Sequence, residues 1–224
     1  MSSPGDQLDD QYRRRFEAED ATRQRVWRVL IDAWFGRYLT DANDVLDLGC
    51  GWGPFINQID VANRYGIDLN PDAINHLDAG VTLFEQAADA TWPLADTSLD
   101  LVFSSNFLEH LPDRDAVRRT LDEAYRCLRP GGRLVLMGPN IKFVGGAYWD
   151  FFDHYVPLTE ASLAEVTELV GFTPETIYGR FLPFTMADKP PPPSLFVRLY
   201  LKFRPAWRVL GKQFLVVVQK PADA

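Results

Sequence analysis

Cysteine is almost missing from this chain: Cys50 and Cys127 are the two in 224 residues. So few argue against a disulfide framework and against a CxxC metal clamp, and no metal is expected. No stretch approaches the roughly 18 apolar residues of a membrane span. Positive charge is in deficit, with 23 Lys and Arg against 31 Asp and Glu and a net charge of -8. A general nucleic-acid binder needs a basic face to neutralise phosphates, so no nucleic-acid partner is expected. The start, with Asp6, Asp9, Asp10 and arginines at 13 to 15, lacks the apolar core of a secretory signal, and the cytoplasm is the expected compartment. Histidine is scarce too, three in all, which keeps the list of candidate bases short. What remains is ordinary: 46% hydrophobic and 24% charged residues, in a chain long enough for one domain with a full core.

Asp44-Val45-Leu46-Asp47-Leu48 and then Gly49-Cys50-Gly51-Trp52-Gly53 form the most informative stretch. The apolar run reads as a buried parallel strand. The alternating glycines let the chain turn sharply and let a ligand approach the backbone. A dinucleotide loop of G-x-G-x-x-G form would need glycine at 54, where the chain has Pro54. Asp47 would repel a pyrophosphate but can accept hydrogen bonds from an ammonium group. The pattern suits a cofactor without phosphates and with a cationic amino-acid end.

The rest of the chain reads as alternating strands and helices. Val26, Trp27, Leu30, Ile31, Trp34 and Phe35 recur at helical spacing, so residues 11–38 are expected to form a helix covering the sheet. A short helix is expected over 55–62, then a strand over 64–67 ending in Asp68-Leu69-Asn70-Pro71. Asp68 lies 19 positions after Gly49, where an acidic side chain binds a ribose diol. Leu69 stands beside it, and Asn70 and Pro71 read as the start of another helix. Further strands are expected over 81–84, 99–104, 133–137 and 173–178, with a last one over 214–218. Helices are expected over 114–128, 159–170 and 195–204. The prolines at 190–193 read as an extended connector.

The glycine loop resembles the first motif of Rossmann-type S-adenosylmethionine (SAM)-dependent methyltransferases. Asp68, Asp89-Ala90, the segment Asn106-Phe107-Leu108-Glu109-His110-Leu111 and the turn Leu128-Arg129-Pro130-Gly131-Gly132 follow in the family's order. The resemblance implies a doubly wound, Rossmann-like α/β fold. Its mostly parallel seven-stranded sheet would carry helices on both faces and an antiparallel last strand. Residues 1–43 would be an N-terminal helical cap and 44–224 the SAM-binding domain. SAM would lie against Asp47, Gly49, Cys50, Gly51 and Gly53, Asp68 and Leu69, Asp89 (adenine amino group), Ala90 (backbone) and Asn106. Trp92 and Leu94 would border the adenine or pack in the core.

Methyl transfer to an oxygen is helped by a base, and His is the residue most readily poised near neutral pH. His76 reads as a surface residue. His110 lies just past the fourth strand, where ligands bind in such folds. His154 lies beside Asp153, so an Asp153–His154 pair is one expectation, and Glu109 is a further candidate. Residues 139–158 read as a substrate insert with hinge-like glycines and dense aromatics, Tyr148, Trp149 and Tyr155 being its candidate acceptor contacts. Between Lys189 and Lys220 stand seven Lys or Arg and no acid. This segment is read either as a solvated face or as a peripheral contact with an anionic inner-membrane surface. The C-terminal third is similar to bacterial methyltransferases of glycan or glycolipid assembly, which implies O-methylation of a sugar hydroxyl. A phenolic or polyketide-type acceptor, and a non-catalytic SAM-binding regulator, are the alternatives.

Overall fold

Strand β1 (Asp44–Leu48) is an interior strand, third in a seven-stranded sheet of order β3-β2-β1-β4-β5-β7-β6. The computed structural model describes residues 20–184 and 192–223. The other strands are β2 (Asn63–Asp68), β3 (Val81–Glu85), β4 (Leu99–Ser105), β5 (Leu128–Pro139), β6 (Thr173–Tyr178) and β7 (Gln213–Gln219). Strands β1 to β5 pair in parallel, and β7 runs antiparallel to both β5 and β6. Strand order reverses between β1 and β4, so the crevice for a ligand opens at the carboxyl ends of those two strands. The α-helices are α1 (Asp20–Ala33), α2 (Arg114–Cys127), the single turn α3 (Ile141–Val144), α4 (Glu160–Val170), α5 (Ser194–Lys202) and α6 (Arg204–Leu210).

Side-chain alternation along the strands assigns each residue to one of two cores. Leu46 and Leu48 of β1 pack with Val117, Leu121 and Ala124 of α2 and Leu163 of α4. Val45 points the other way and packs with Val29 and Leu30 of α1, Val197 and Leu201 of α5, and Trp207 of α6. The second core is aromatic: Phe35 meets Phe103 edge to face at 5.2 Å, and Trp34 meets Trp207 at 5.1 Å. Each such fully buried ring contributes about 1.5–3 kcal/mol through the surface it removes from water. Helix α2 starts where the Asp113 carboxylate accepts from the Ala116 amide at 2.7 Å. Helix α4 opens with a Thr159–Ser162 capping box and ends at Gly171, φ 118°.

Several boundaries differ from the sequence reading. The helix expected over 55–62 is a single 3-10 turn, Ile56–Gln58. The chain must reach β2 at Asn63, too soon for a full crossover helix of the usual dozen residues. Side chains satisfy the local carbonyls instead: Gln58 Nε2 donates to Pro54 O at 2.7 Å, and Asn57 Nδ2 to His76 O at 2.9 Å. Helix α1 supplies the missing cover, since Phe55, Ile56 and Ile59 pack with its apolar residues. The helix expected after β2 is also a 3-10 turn, Pro71–Asn75, still capped by Asn70. The turn Leu128–Gly132 belongs to the start of β5, where Leu128 pairs with Leu99 before a register shift. The helix expected over 195–204 divides into α5 and α6 at Arg204-Pro205. Residues 11–19 and the prolines at 190 and 191 lie outside the described residues.

Candidate active site

The glycine loop is clamped to β2: Gly49 N and Cys50 N donate to Ile67 O at 2.8 and 3.3 Å. Gly49 has φ 72°, and a Cβ there would stand 2.2 Å from the Phe107 ring. Two constraints therefore require glycine, backbone conformation and the ring of the post-β4 segment. Gly51 has φ 50° with nothing within 4 Å of a would-be Cβ, so the backbone there borders open space. The Cys50 side chain turns inward, its Sγ 2.8 Å from a would-be Cβ at Gly66. Burial pushes its thiol up. The Cys50 side chain therefore packs on the sheet, and its backbone alone is left for a ligand.

Asp68 holds the loop in place. Its Oδ2 accepts from Gly51 N at 2.7 Å and its Oδ1 from Asn70 N at 2.9 Å. Burial raises its pKa against the pull of those amides. Each carboxylate oxygen keeps a second lone pair, which suits a ribose diol. Asp47 is 4% exposed. Burial, reinforced by the charge of Asp68, pushes its carboxyl up to about 8. A buried carboxyl held this far from its ordinary range lacks a neighbouring cation, and an ammonium group would supply one. Leu69 is 68% exposed and offers an apolar surface next to Asp68.

The third carboxylate is already engaged: Asp89 Oδ2 accepts from Arg119 Nη2 at 2.6 Å. The Ala90 amide donates to Ala87 O at 3.2 Å. Trp92 is core, its Nε1 donating to Ala88 O at 2.8 Å. Asn106 has φ 51°, its amide donates to Met137 O at 2.8 Å, and its Nδ2 donates to Ser105 Oγ.

Beyond β4, a 3-10 turn (Leu108–His110) meets the segment after β5. The Glu109 carbonyl accepts from Tyr155 N at 2.9 Å and Val156 N at 3.2 Å, which brings His154 to Glu109 and His110. The rings of His110 and His154 are 4.9 Å apart. One ligand atom from each of Glu109, His110 and His154 lies within 4.8 Å of the other two, the one such group that could hold a metal among the described residues. Glu109 is 2% and His154 7% exposed. Burial pushes the Glu109 carboxyl up to about 7, against the pull of His110.

Asp153 pairs with His110 as well as standing beside His154 in sequence. His110 Nδ1 contacts the Asp153 carbonyl at 2.9 Å and its Oδ2 at 3.3 Å. Asp153 and His154 thus both reach the turn after β4. Tyr148 is not an acceptor contact: it is fully buried and its hydroxyl donates to Val156 O. It braces the insert from within. Trp149 and Tyr155 are exposed, as is Phe152. His76 keeps a partly exposed side chain, one face of which stacks on Trp52 of the glycine loop at 3.8 Å. Sequence reading missed this stack, the Phe107–Gly49 contact and Asn140, whose Nδ2 donates to Gly179 O at 2.9 Å. Asn140 could have been noticed as a helix cap; the other two carry no local signal.

Residues 46–136 match the family described as Methyltransferase domain. A probable S-adenosylmethionine-dependent methyltransferase of Mycolicibacterium smegmatis is 35% identical over 62% of this chain and 55% of its own length. The 27-O-demethylrifamycin SV methyltransferase of Amycolatopsis mediterranei is 34% identical over 54% of this chain and 48% of its own length. The chain thus spans about half the length of these curated relatives. Among solved structures, a SAM-dependent methyltransferase from Archaeoglobus fulgidus superposes with TM-score 0.62 at 22% identity, covering 86% of this chain and 94% of that one. A possible histamine N-methyltransferase from Thermotoga maritima gives TM-score 0.65 at 18% identity, covering 94% and 95%.

Proposed function

We propose that this chain, whose residues 46–136 are a methyltransferase domain on a Rossmann-like sheet, transfers the methyl group of SAM to a hydroxyl of a glycan or glycolipid. The observation that carries the reading is a buried Asp47 carboxyl pushed up to about 8, next to a Gly51 backbone that borders open space. Those two features, with Asp68 at the end of β2, fit an ammonium group and a ribose on one unphosphorylated ligand.

When bound, SAM supplies an activated methyl group, so the protein's tasks are to place the acceptor, exclude water and take up a proton. Asp47 would hold the ammonium end and Asp68 the ribose, and Leu69 would offer an apolar surface to the adenine. Asp89, engaged by Arg119, reaches the adenine amino group only by sharing its carboxylate. The cluster of Glu109, His154 and His110, the last oriented by Asp153, would handle the acceptor hydroxyl. Exposed Trp149 and Tyr155 flank the segment and suit stacking on a sugar face.

A lipid-linked acceptor is favoured by the C-terminal helices. Leu195, Phe196, Leu199, Phe203, Val209 and Leu210 are exposed large apolar residues, interspersed with exposed Lys202, Arg204, Arg208 and Lys212. Lys220 does not belong to this face, since its Nζ donates to Tyr125 O and Leu128 O. Arg198 is tied to Asp32 at 3.2 Å. Exposed apolar and basic groups mixed along these two helices suit an anionic membrane surface. No helix among the described residues is long and apolar enough to cross a membrane. A second reading, a polyketide-type acceptor, is supported by the relative named for 27-O-demethylrifamycin SV.

Methyl-labelled SAM offered with glycans, glycolipids and phenolic or polyketide metabolites decides between them, with the labelled product identified by mass. Label in a glycolipid fraction is the expected result. Label confined to a phenolic or polyketide product replaces the acceptor class. Tight SAM binding with no label in any fraction points to a non-catalytic SAM-binding protein.

A further inference from the structure

Glu109 and His110 come from the turn after β4, and His154 from the segment after β5. Two amide hydrogen bonds to the Glu109 carbonyl hold these segments together. The ligand atoms of the three side chains lie within 4.8 Å of one another. We propose that this cluster binds one divalent transition-metal ion, whose open coordination positions take the hydroxyl of the methyl acceptor. The second half of the inference rests on the methyltransferase reading; metal binding itself does not.

Four observations support it. First, packing a carboxylate and two imidazoles so closely, two of them buried, gathers electron pairs in a poorly solvated place. That is costly unless a cation sits among them. Second, His110 is oriented as a metal ligand is. Its Nδ1 lies 2.9 Å from the Asp153 carbonyl, an acceptor only, so Nδ1 donates and Nε2 carries the lone pair. A ligating histidine ordinarily donates its other ring nitrogen to a carbonyl or carboxylate in this way. Third, the walls are aromatic: the His154 ring lies 4.7 Å from Tyr148 and 4.9 Å from Phe151. Such walls limit water and fix the ring. Fourth, three protein donors leave positions open for substrate, as in catalytic rather than structural sites.

The donor set also selects the ion. Two imidazoles and one carboxylate suit zinc, iron(II) or another late first-row ion over magnesium or calcium, which take oxygen ligands. Ligand bonds of about 2.1 Å require the donors to close in from the 4.8 Å limit by about an ångström or more, within reach of side-chain rotation. A coordinated hydroxyl ionises more readily than a free one. In the transfer an oxygen–methyl bond forms and the sulfur–methyl bond breaks, its electron pair staying on sulfur, while the hydroxyl proton passes to solvent.

The test uses the full chain stripped with a chelator and titrated with cobalt(II), followed by visible absorption, with zinc competition by calorimetry. About one equivalent of cobalt with ligand-field bands is expected, at micromolar affinity or tighter. Glu109→Gln and His154→Ala should each weaken it at least 100-fold, and Asp153→Ala about tenfold. Binding of S-adenosylhomocysteine should persist in all three, which shows that they are folded. Should one variant fail to fold, the other still decides. Absence of stoichiometric cobalt at 100 μM, or wild-type affinity in Glu109→Gln and His154→Ala, overturns the site. Methyl transfer undiminished in chelator overturns the role of the ion in the reaction and leaves the methyltransferase reading standing. Metal bound tightly with no methyl transfer to any acceptor overturns the methyltransferase reading, and with it the ion's role in the reaction, and leaves the metal site standing.

Discussion

Asp47 makes the affinity for the methyl donor depend on pH, with a sign and a size that follow from its burial. The carboxyl is pushed up to about 8, first by burial and then by the charge of Asp68. The ammonium end of the ligand requires its ionised form, so the apparent Kd is the intrinsic value divided by the ionised fraction. At pH 6 that fraction is about one hundredth, a loss of about 2.7 kcal/mol relative to pH 9. Calorimetric titration with S-adenosylhomocysteine should therefore show Kd falling about tenfold per unit from pH 6 to 8 and levelling above. Protons released on binding should appear as a dependence on buffer ionisation heat. Asp47→Asn keeps the shape and removes the charge. It should abolish the pH dependence and weaken binding at pH 9 by about 100-fold or more, since breaking a buried ion pair costs about 3–5 kcal/mol. The unliganded protein should show the matching trend. The folded-state pKa lies above the unfolded value of 3.8, so the native state holds the proton longer. The Asp47 contribution to stability is then full below about pH 4 and declines as pH rises toward 8, by up to about 1.4 kcal/mol per unit. Asp47→Asn should flatten that decline. A Kd that stays level from pH 6 to 9 would refute the reasoning, as would an Asp47→Asn variant binding within threefold of wild type at pH 9.

Asp68→Ala removes the acceptor for Gly51 N and Asn70 N together with the ribose contact, and should weaken S-adenosylhomocysteine at least tenfold by calorimetry; unchanged affinity contradicts the ribose assignment. Tyr148→Phe leaves the Val156 carbonyl without its buried donor and should cost about 1–2 kcal/mol in urea unfolding, with cofactor affinity unchanged. A wild-type midpoint would show that this hydroxyl does not brace the insert. Phe196→Ser with Phe203→Ser removes two exposed rings and should at least halve the protein floated with phosphatidylglycerol vesicles. Equal flotation of variant and wild type, or none by either, removes lipid from the account. Gly49→Ala places a Cβ 2.2 Å from the Phe107 ring at φ 72° and should abolish cofactor binding or soluble expression; near-normal binding would mean that the loop and Phe107 move apart freely.

The amino-acid sequence by itself determined the sheet and its cofactor edge. The largely apolar runs at 45–48 and 99–103 read as buried strands, and Gly49, Gly51 and Asp68 lie within one βαβ-sized unit. Their meaning depends on neighbours a few residues away, so period and spacing carry it. Helix α2 was legible for the same reason, with Val117, Leu121 and Ala124 on one face. The tertiary structure alone decided which groups meet. Asp153 meets His110, 43 positions away. Tyr148, one of several aromatics in a row, became a buried brace while Trp149 beside it stayed exposed. The helix after the glycine loop gave way to α1, whose residues reach Phe55 and Ile56 only once the sheet exists. Period along a chain records which way a side chain points relative to its own backbone; which partner it finds is set by how distant segments are brought together, and no local pattern encodes that.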